Sequence, residues 1–349
     1  MDDVLKIRRL EQGEEARWDA FVEGCPEATF FHRAGWQTVL RRAFGHVGHF
    51  LLAEDEKGLI RGVLPLARVR SLLFGDALLS TPFAVYGGAA ADAPRVAAHL
   101  HREAARLAGQ LGVDHLELRL QTAAAVPEGW PVKDLYCTFR RGIVADAEKN
   151  QLSIPRKQRA EVRRGVDQGL SFRVGREWRP CWDIYAESLR NLGTPVFTPR
   201  YFPILGEVFG PDCETLLVSN REGSAVAAVL SFYFRDTVLP YYGGGTPAAR
   251  SCGAYAYMYW QLMNHAAANR GCGIFDFGRS KQGTGSFDFK RYFGFEPLPL
   301  HYAVHLVQGK EIPQVNPLNP RYALFIRAWQ KLPLTVANGI GPWLAKDLG

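Results

Sequence analysis

Side chains able to act on a carbonyl group gather late in the chain. Residues 278–290 read GRSKQGTGSFDFK, with Arg279, Lys281 and Lys290 set around Gly283 and Gly285. Glycines let the backbone approach a ligand closely. The spacing is not that of a Walker phosphate loop, which needs G-x-x-x-x-G-K-[ST]. Lys290 stands between Phe289 and the pair Tyr292-Phe293, so its stem can pack while its ammonium reaches a ligand. An acyl carbonyl under attack gathers negative charge on oxygen, and a fixed donor there lowers the barrier by roughly 3–4 kcal/mol. Lys290 is therefore the first catalytic candidate. Asp276 and Asp288 are the nearby carboxylates able to take a proton from an attacking amine, with strand closure or pairing to Arg279 as the other reading of Asp276.

A second cationic group lies in SIPRKQRAEVRRG, where Arg156, Arg159 and Arg163 recur at spacings of three and four, flanked by Lys157 and Arg164. On a helix that spacing makes one face, and guanidinium groups suit phosphate oxygens. A solvated basic face is the alternative. Pro155 fits the first turn of such a helix. Other chemistry is thin. His46 and His49 have metal-like spacing but no evident Cys or carboxylate partner. No GxSxG elbow occurs, and the six cysteines include no CxxC pair. Neither a metal site, a covalent acyl-enzyme nor a tightly bound cofactor is indicated.

The elements that must position these groups occur twice. Sliding the chain by 165 positions lays HRAGWQTVLRRAFG (32–45) over FTPRYFPILGEVFG (197–210), and LLAEDEKG (51–58) over LLVSNREG (216–223). Tyr86-Gly87-Gly88 then matches Tyr242-Gly243-Gly244, and an alanine-rich helix and a short strand follow each. Each copy reads helix, hairpin, strand, helix, strand, which is a mixed sheet flanked by helices. The expected class is α/β (α+β, mixed sheet), with one domain over 1–150, a second over 151–310 carrying the donor site, and a C-terminal helical tail over 311–349. Tyr242 is placed either in the cleft wall or in the core.

At 47% hydrophobic and 22% charged residues, the chain should fold rather than stay disordered. The net charge of +7 favours anionic partners without selecting one. The charged start, MDDVLKIRRLEQ, is not a secretory signal, and no apolar run is long enough to span a bilayer. A cytoplasmic protein is expected. Between 321 and 344, an apolar stripe (Leu324, Phe325, Ala328, Trp329, Leu332) with Arg321, Arg327 and Lys331 nearby precedes Val336, Ile340, Trp343 and Leu344. Such a segment lies on the inner face of an anionic membrane, docks on a partner, or packs back on the body.

The second copy, YYGGGTPAARSCGAYAYMYW through IFDFGRSKQGTGSFDFKRYFGFEP, resembles the C-terminal GNAT-like half of FemAB proteins. The helix PRKQRAEVRRG resembles that family's P-K-x-R motif, and FFHRAGWQTVL its early F-F-x-x-x-x-W motif. FemAB-like members associated with PEP-CTERM/exosortase systems are the most similar group. The resemblance implies tandem GNAT-like domains and an N-acyltransferase that moves an aminoacyl group, from aminoacyl-tRNA, to an amine of an envelope polysaccharide, a lipid-linked or a peptidoglycan-type precursor. It assigns Lys290 to the carbonyl oxygen; Trp36 and Tyr242 are further substrate-binding candidates. Where peptidoglycan-type members carry a lysine, this chain has Leu40. The acetyl-CoA loop [RQ]-x-x-G-x-[GA] becomes Arg250-Ser251-Cys252-Gly253-Ala254-Tyr255, whose tyrosine crowds a pyrophosphate. Acyl-CoA or an acyl carrier as donor remains the alternative, as does a non-catalytic module binding phosphoglycan or RNA. DNA is not an expected partner.

Overall fold

The computed structural model describes residues 5–71, 75–309, 311–312 and 320–347, the side chains of 320–322 excepted. They fall into two compact units. One draws on 1–136, 299–314 and 346–349, the other on 137–298 and 315–345. The division thus comes at 136/137 rather than near 150, and the chain after 299 returns to the first unit instead of closing the second. The helices of 320–345 belong to the second unit.

The second unit is built on one long sheet. Its strands run in the order Ser171–Gly175, Cys213–Ser219, Ala225–Phe234, Thr237–Gly245, Ile274–Asp276, Tyr136–Gly142 and Ser280–Lys281. The helix Ala254–Arg270 covers one face with Met258, Leu262, Met263 and Ala266. Three consecutive glycines end the strand Thr237–Gly245 because helices press on both faces there. A Cβ on Gly244 would come 2.7 Å from Ser188 Cβ, and one on Gly245 2.8 Å from the Tyr255 hydroxyl.

The first unit repeats this order, with its long strands broken. Lys6–Arg9, Leu51–Glu54, Ile60–Leu64 and Ala90–Ala91 form one sheet. Val47–Gly48, Leu66–Ser71, Gly75–Ser80, His115–Leu120, His301–Leu306 and Val132–Lys133 form another. The break in IRGVLPLARV falls at Pro65, which has no N–H for the ladder. The Tyr86-Gly87-Gly88 segment likewise lies outside any strand, unlike its counterpart at 242–244.

The repeat extends to single hydrogen bonds. Gly58 N donates to Asp55 O and Gly223 N to Asn220 O, both 165 residues apart, and both glycines hold φ near +80° (76° and 79°). The Asp55 and Asn220 side chains each accept a backbone N–H across their turn, as Asx turns require. Each copy also has a strand that its own segment does not supply. Tyr136–Gly142, preceding the second copy, pairs with Ile274–Asp276. His301–Leu306, following it, pairs with His115–Leu120.

Candidate active site

The second unit's sheet opens where its parallel pair separates. Thr237–Gly245 and Ile274–Asp276 are paired only at Thr237↔Ile274 and Val238↔Phe275. Beyond Val238 the first strand stays on Ala225–Phe234 and the second on Tyr136–Gly142. Among the described residues no strand pairs with the edge formed by 239–245 beyond Val238 on that side. A register shift at Leu230/Ser231 makes Tyr241 an extra residue in that strand. Such a bulge bends and re-aims the backbone.

Lys290 forms the wall opposite this edge. It comes from the helix Gly285–Tyr292, which starts on Thr284, whose hydroxyl accepts Phe287 N. The ammonium is buried and donates to the carbonyls of Phe277 (2.8 Å), Gly278 (3.0 Å) and Arg279 (3.1 Å). It also lies over the rings of Phe139 and Phe277. Its three donors are thus engaged by consecutive carbonyls of the strand end. The ammonium expected at a reacting carbonyl is here held by three main-chain carbonyls. Burial lowers its pKa to about 7, the Asp276 charge opposing that shift and Arg279 adding to it.

Asp276 is also committed to structure. It accepts from Thr138 Oγ1 (3.2 Å) and Gly278 N (2.8 Å), and pairs with Arg140 (3.3 Å). It closes the turn at 277–278, and Arg140 is an ion-pair partner. Asp288 is half-buried in the first turn of the Lys290 helix, where a carboxylate favours the positive helix end. Arg279 and Lys281 are also half-buried, on the strand end beyond Asp276. Trp36 is a core residue, against expectation, and Tyr242 takes the core alternative rather than the cleft wall. Trp36 donates its indole N–H to Phe30 O (3.2 Å) between the rings of Phe30 and Phe31. Tyr242 shares a 2.8 Å hydroxyl bond with Tyr201 among Tyr185, Phe197 and Phe202.

The cationic helix forms as expected, over Arg156–Asp167, after Pro155. Arg156, Lys157 and Arg163 are exposed, while Arg159 is half-buried and donates to Leu152 O. The helix packs on the turn that begins helix Ala254–Arg270, since a Cβ on Gly253 would lie 2.4 Å from Glu161 O. Cavities of about 430 and 410 Å³ border this helix, the first lined by Asp167, Arg221, Ser251 and Cys252, the second by Arg163 and Trp260. None of the proposed catalytic residues lines either.

Ser188 was not singled out in the sequence. Tyr255 follows Gly253 at the head of its helix, and its hydroxyl interacts with Ser188 on the helix Trp178–Leu192. The two helices cover opposite faces of the sheet at Gly244 and Gly245. The far flank of those glycines is taken by Ala227 and Ala228, so the pair meets at the open edge. The tyrosine in the Arg250–Tyr255 stretch was legible; the serine it meets was not.

In the first unit the matching segment stays beside the neighbouring strand. Gly75–Ser80 and His115–Leu120 pair in parallel over residues 77–79, and residues 81–88 then occupy the place beside Arg119. The Arg119 guanidinium donates to Thr81 O and Ala84 O, Gly87 N donates to Arg119 O, and Tyr302 donates to Val85 O. Thr81 and Phe83 are held at φ of 47° and 64°, which costs on the order of 1–3 kcal/mol each and persists only where the surroundings enforce it. Glu117, buried with Arg119 and Lys133, anchors the network.

Two open and closed copies of one mixed sheet, each with a separating parallel pair, define a tandem acyltransferase-type fold. Residues 155–291 match the family described as acetyltransferase (GNAT) domain. In fold the chain is similar to FemX (TM-score 0.67, 13% identity, covering 92% of this chain and 100% of that one). It is also similar to L-PGS from Bacillus licheniformis (0.56, 13%, 93% and 100%), and to a tandem GNAT protein from the clavulanic acid biosynthesis pathway (0.56, 11%, 88% and 100%). No curated protein matches it in sequence. The chain has a tandem GNAT-type fold, and residues 155–291 of its second unit match a GNAT acetyltransferase domain.

Proposed function

We propose that the second unit transfers an aminoacyl group from an anionic carrier to a primary amine of an envelope polysaccharide or lipid-linked precursor. The observation that carries this reading is the contrast between the copies. Among the described residues the strand edge at 239–245 pairs with no second strand beyond Val238, whereas the matching segment of the first unit, 81–88, stays hydrogen-bonded beside Arg119. In the reaction the amine nitrogen attacks the ester carbonyl, the C–N bond forms, the bond to the carrier oxygen breaks, and that oxygen takes the proton the amine loses. Main-chain donors of the bulged strand edge are suited to the oxygen that gains charge. Lys290 acts as a positioning residue by fixing the facing strand end.

A polynucleotide carrier is supported by the exposed Arg156, Lys157 and Arg163 and by Tyr255 at the turn where a pyrophosphate would sit. The acetyltransferase description of residues 155–291 supports acyl-CoA as the second reading. Supplying aminoacyl-tRNA and acyl-CoA separately, with an amino-sugar acceptor and mass-spectrometric detection, tests the choice. Product from aminoacyl-tRNA alone, falling steeply with salt, is expected. Product from acyl-CoA alone would replace the carrier. Salt-sensitive binding with no product from either donor would leave a binding module.

A further inference from the structure

The helices Pro320–Gln330 and Leu334–Ala345 pack on the helix Trp178–Leu192 and the chain that follows it. Ile326 covers Gly193, Gln330 donates to Asn191 O, and a Cβ on Gly341 would meet Val196 at 3.1 Å. In the second helix the buried Ala337, Gly341 and Ala345 recur at i, i+4, i+8. Val336, Ile340 and Trp343, at i, i+4, i+7, lie roughly 130° around the helix from them and are 45%, 46% and 63% exposed. In the first helix Trp329 is buried, while Leu324 (76%) and Phe325 (44%) are exposed. Packing therefore uses one stripe and leaves another bare, so the fold does not explain these five large apolar side chains.

Charge indicates what covers them. Residues 320–345 contain no Asp or Glu, although the whole chain has 35. Arg327 and Lys331 are exposed, Arg327 three residues from Leu324 on the same helix face and Lys331 just past the helix end. Large apolar residues beside cations, with no acid, match an acidic lipid surface, where apolar side chains enter the acyl boundary and each cation meets headgroup charge. An acidic protein groove would match the cations as well, but a bare stripe spread over two consecutive helices suits an extended interface. Among the described residues no helix is long and apolar enough to cross a membrane, so contact would be peripheral.

We propose that this helix pair docks the protein on an acidic phospholipid bilayer. The docking is independent of the donor, and its test uses no acyl transfer, so either reading can fail alone. The full chain is sedimented with phosphatidylcholine vesicles with or without about one-third phosphatidylglycerol. Two variants are compared, Leu324→Gln/Ile340→Gln/Trp343→Gln and Arg327→Ser/Lys331→Ser. Because these side chains are exposed, circular dichroism and unfolding midpoints should match the parent. Binding to the acidic vesicles, at least about tenfold weaker to neutral ones and at least about tenfold weaker in each variant, supports the proposal. Absence of binding by the parent, equal binding to both vesicle types, or variants binding like the parent would overturn it. A parent dimer that the triple variant disperses, without vesicle binding, would overturn it in favour of a second copy on the same face.

Discussion

Lys290 combines two opposed tendencies. Burial disfavours the charged amine, yet three carbonyls at 2.8–3.1 Å need three N–H donors, which only the ammonium supplies. With its pKa lowered to about 7 from an ordinary lysine value near 10.4, the folded state binds fewer protons than the unfolded chain between those limits. Stability attributable to Lys290 therefore rises with pH across that window, by at most about 1.4 kcal/mol per unit, and is lowest below about 7. Lys290→Met should lose roughly 2–4 kcal/mol at neutral pH by stranding the carbonyls. Urea titrations at pH 6.5 and 9.5 should show the parent's advantage growing with pH, and an unchanged advantage would contradict this. Glu117 shows the reverse case. Burial would raise its carboxyl, but Lys133 and Arg119 hold it down at about 2. Its contribution is present above about 4.3 and is lost as pH falls towards 2. Glu117→Ala should cost about 3–5 kcal/mol by leaving buried cations uncompensated, measured by denaturant unfolding.

At the scale of elements, the glycine run 243–245 separates two kinds of glycine. Gly223 is needed for its turn's positive φ, and a Cβ there meets nothing within 4 Å. Gly223→Ala should cost only about 1 kcal/mol. Gly244 is extended but crowded, its Cβ meeting Ser188 and the Tyr185 backbone at 3.1 Å. Gly244→Ala should cost about 1–3 kcal/mol and disturb the Tyr255–Ser188 contact, which thermal melts of both variants would rank. The sequence pattern made the paired helices, the two Asx turns and the cationic helix legible, because each is set by local spacing. It misplaced Trp36 and left Tyr242 undecided, since a motif position says nothing about which way a ring faces. It gave Lys290 a substrate, because composition cannot reveal that three carbonyls already surround the amine.

The whole molecule adds a dependence that no local pattern records. His301–Leu306 lies between His115–Leu120 and Val132–Lys133 in the first unit, though it follows the second copy in sequence. The sequence boundary near 150 missed this because strand pairing at a separation of about 180 residues leaves no local periodicity. A chain ending at 298 should expose two strand edges in the first unit and aggregate, seen as loss of the monomer peak in size-exclusion chromatography. An intact monomer would show the strand to be dispensable.

The division of labour between the copies is tested most directly by hydrogen–deuterium exchange of the full chain, with and without a non-hydrolysable aminoacyl-tRNA analogue. If the second unit's open edge receives the acyl group, amides of 239–245 and 277–281 gain protection while those of 77–90 do not change. Protection at 77–90, or at neither segment while the analogue is bound elsewhere, would contradict the assignment.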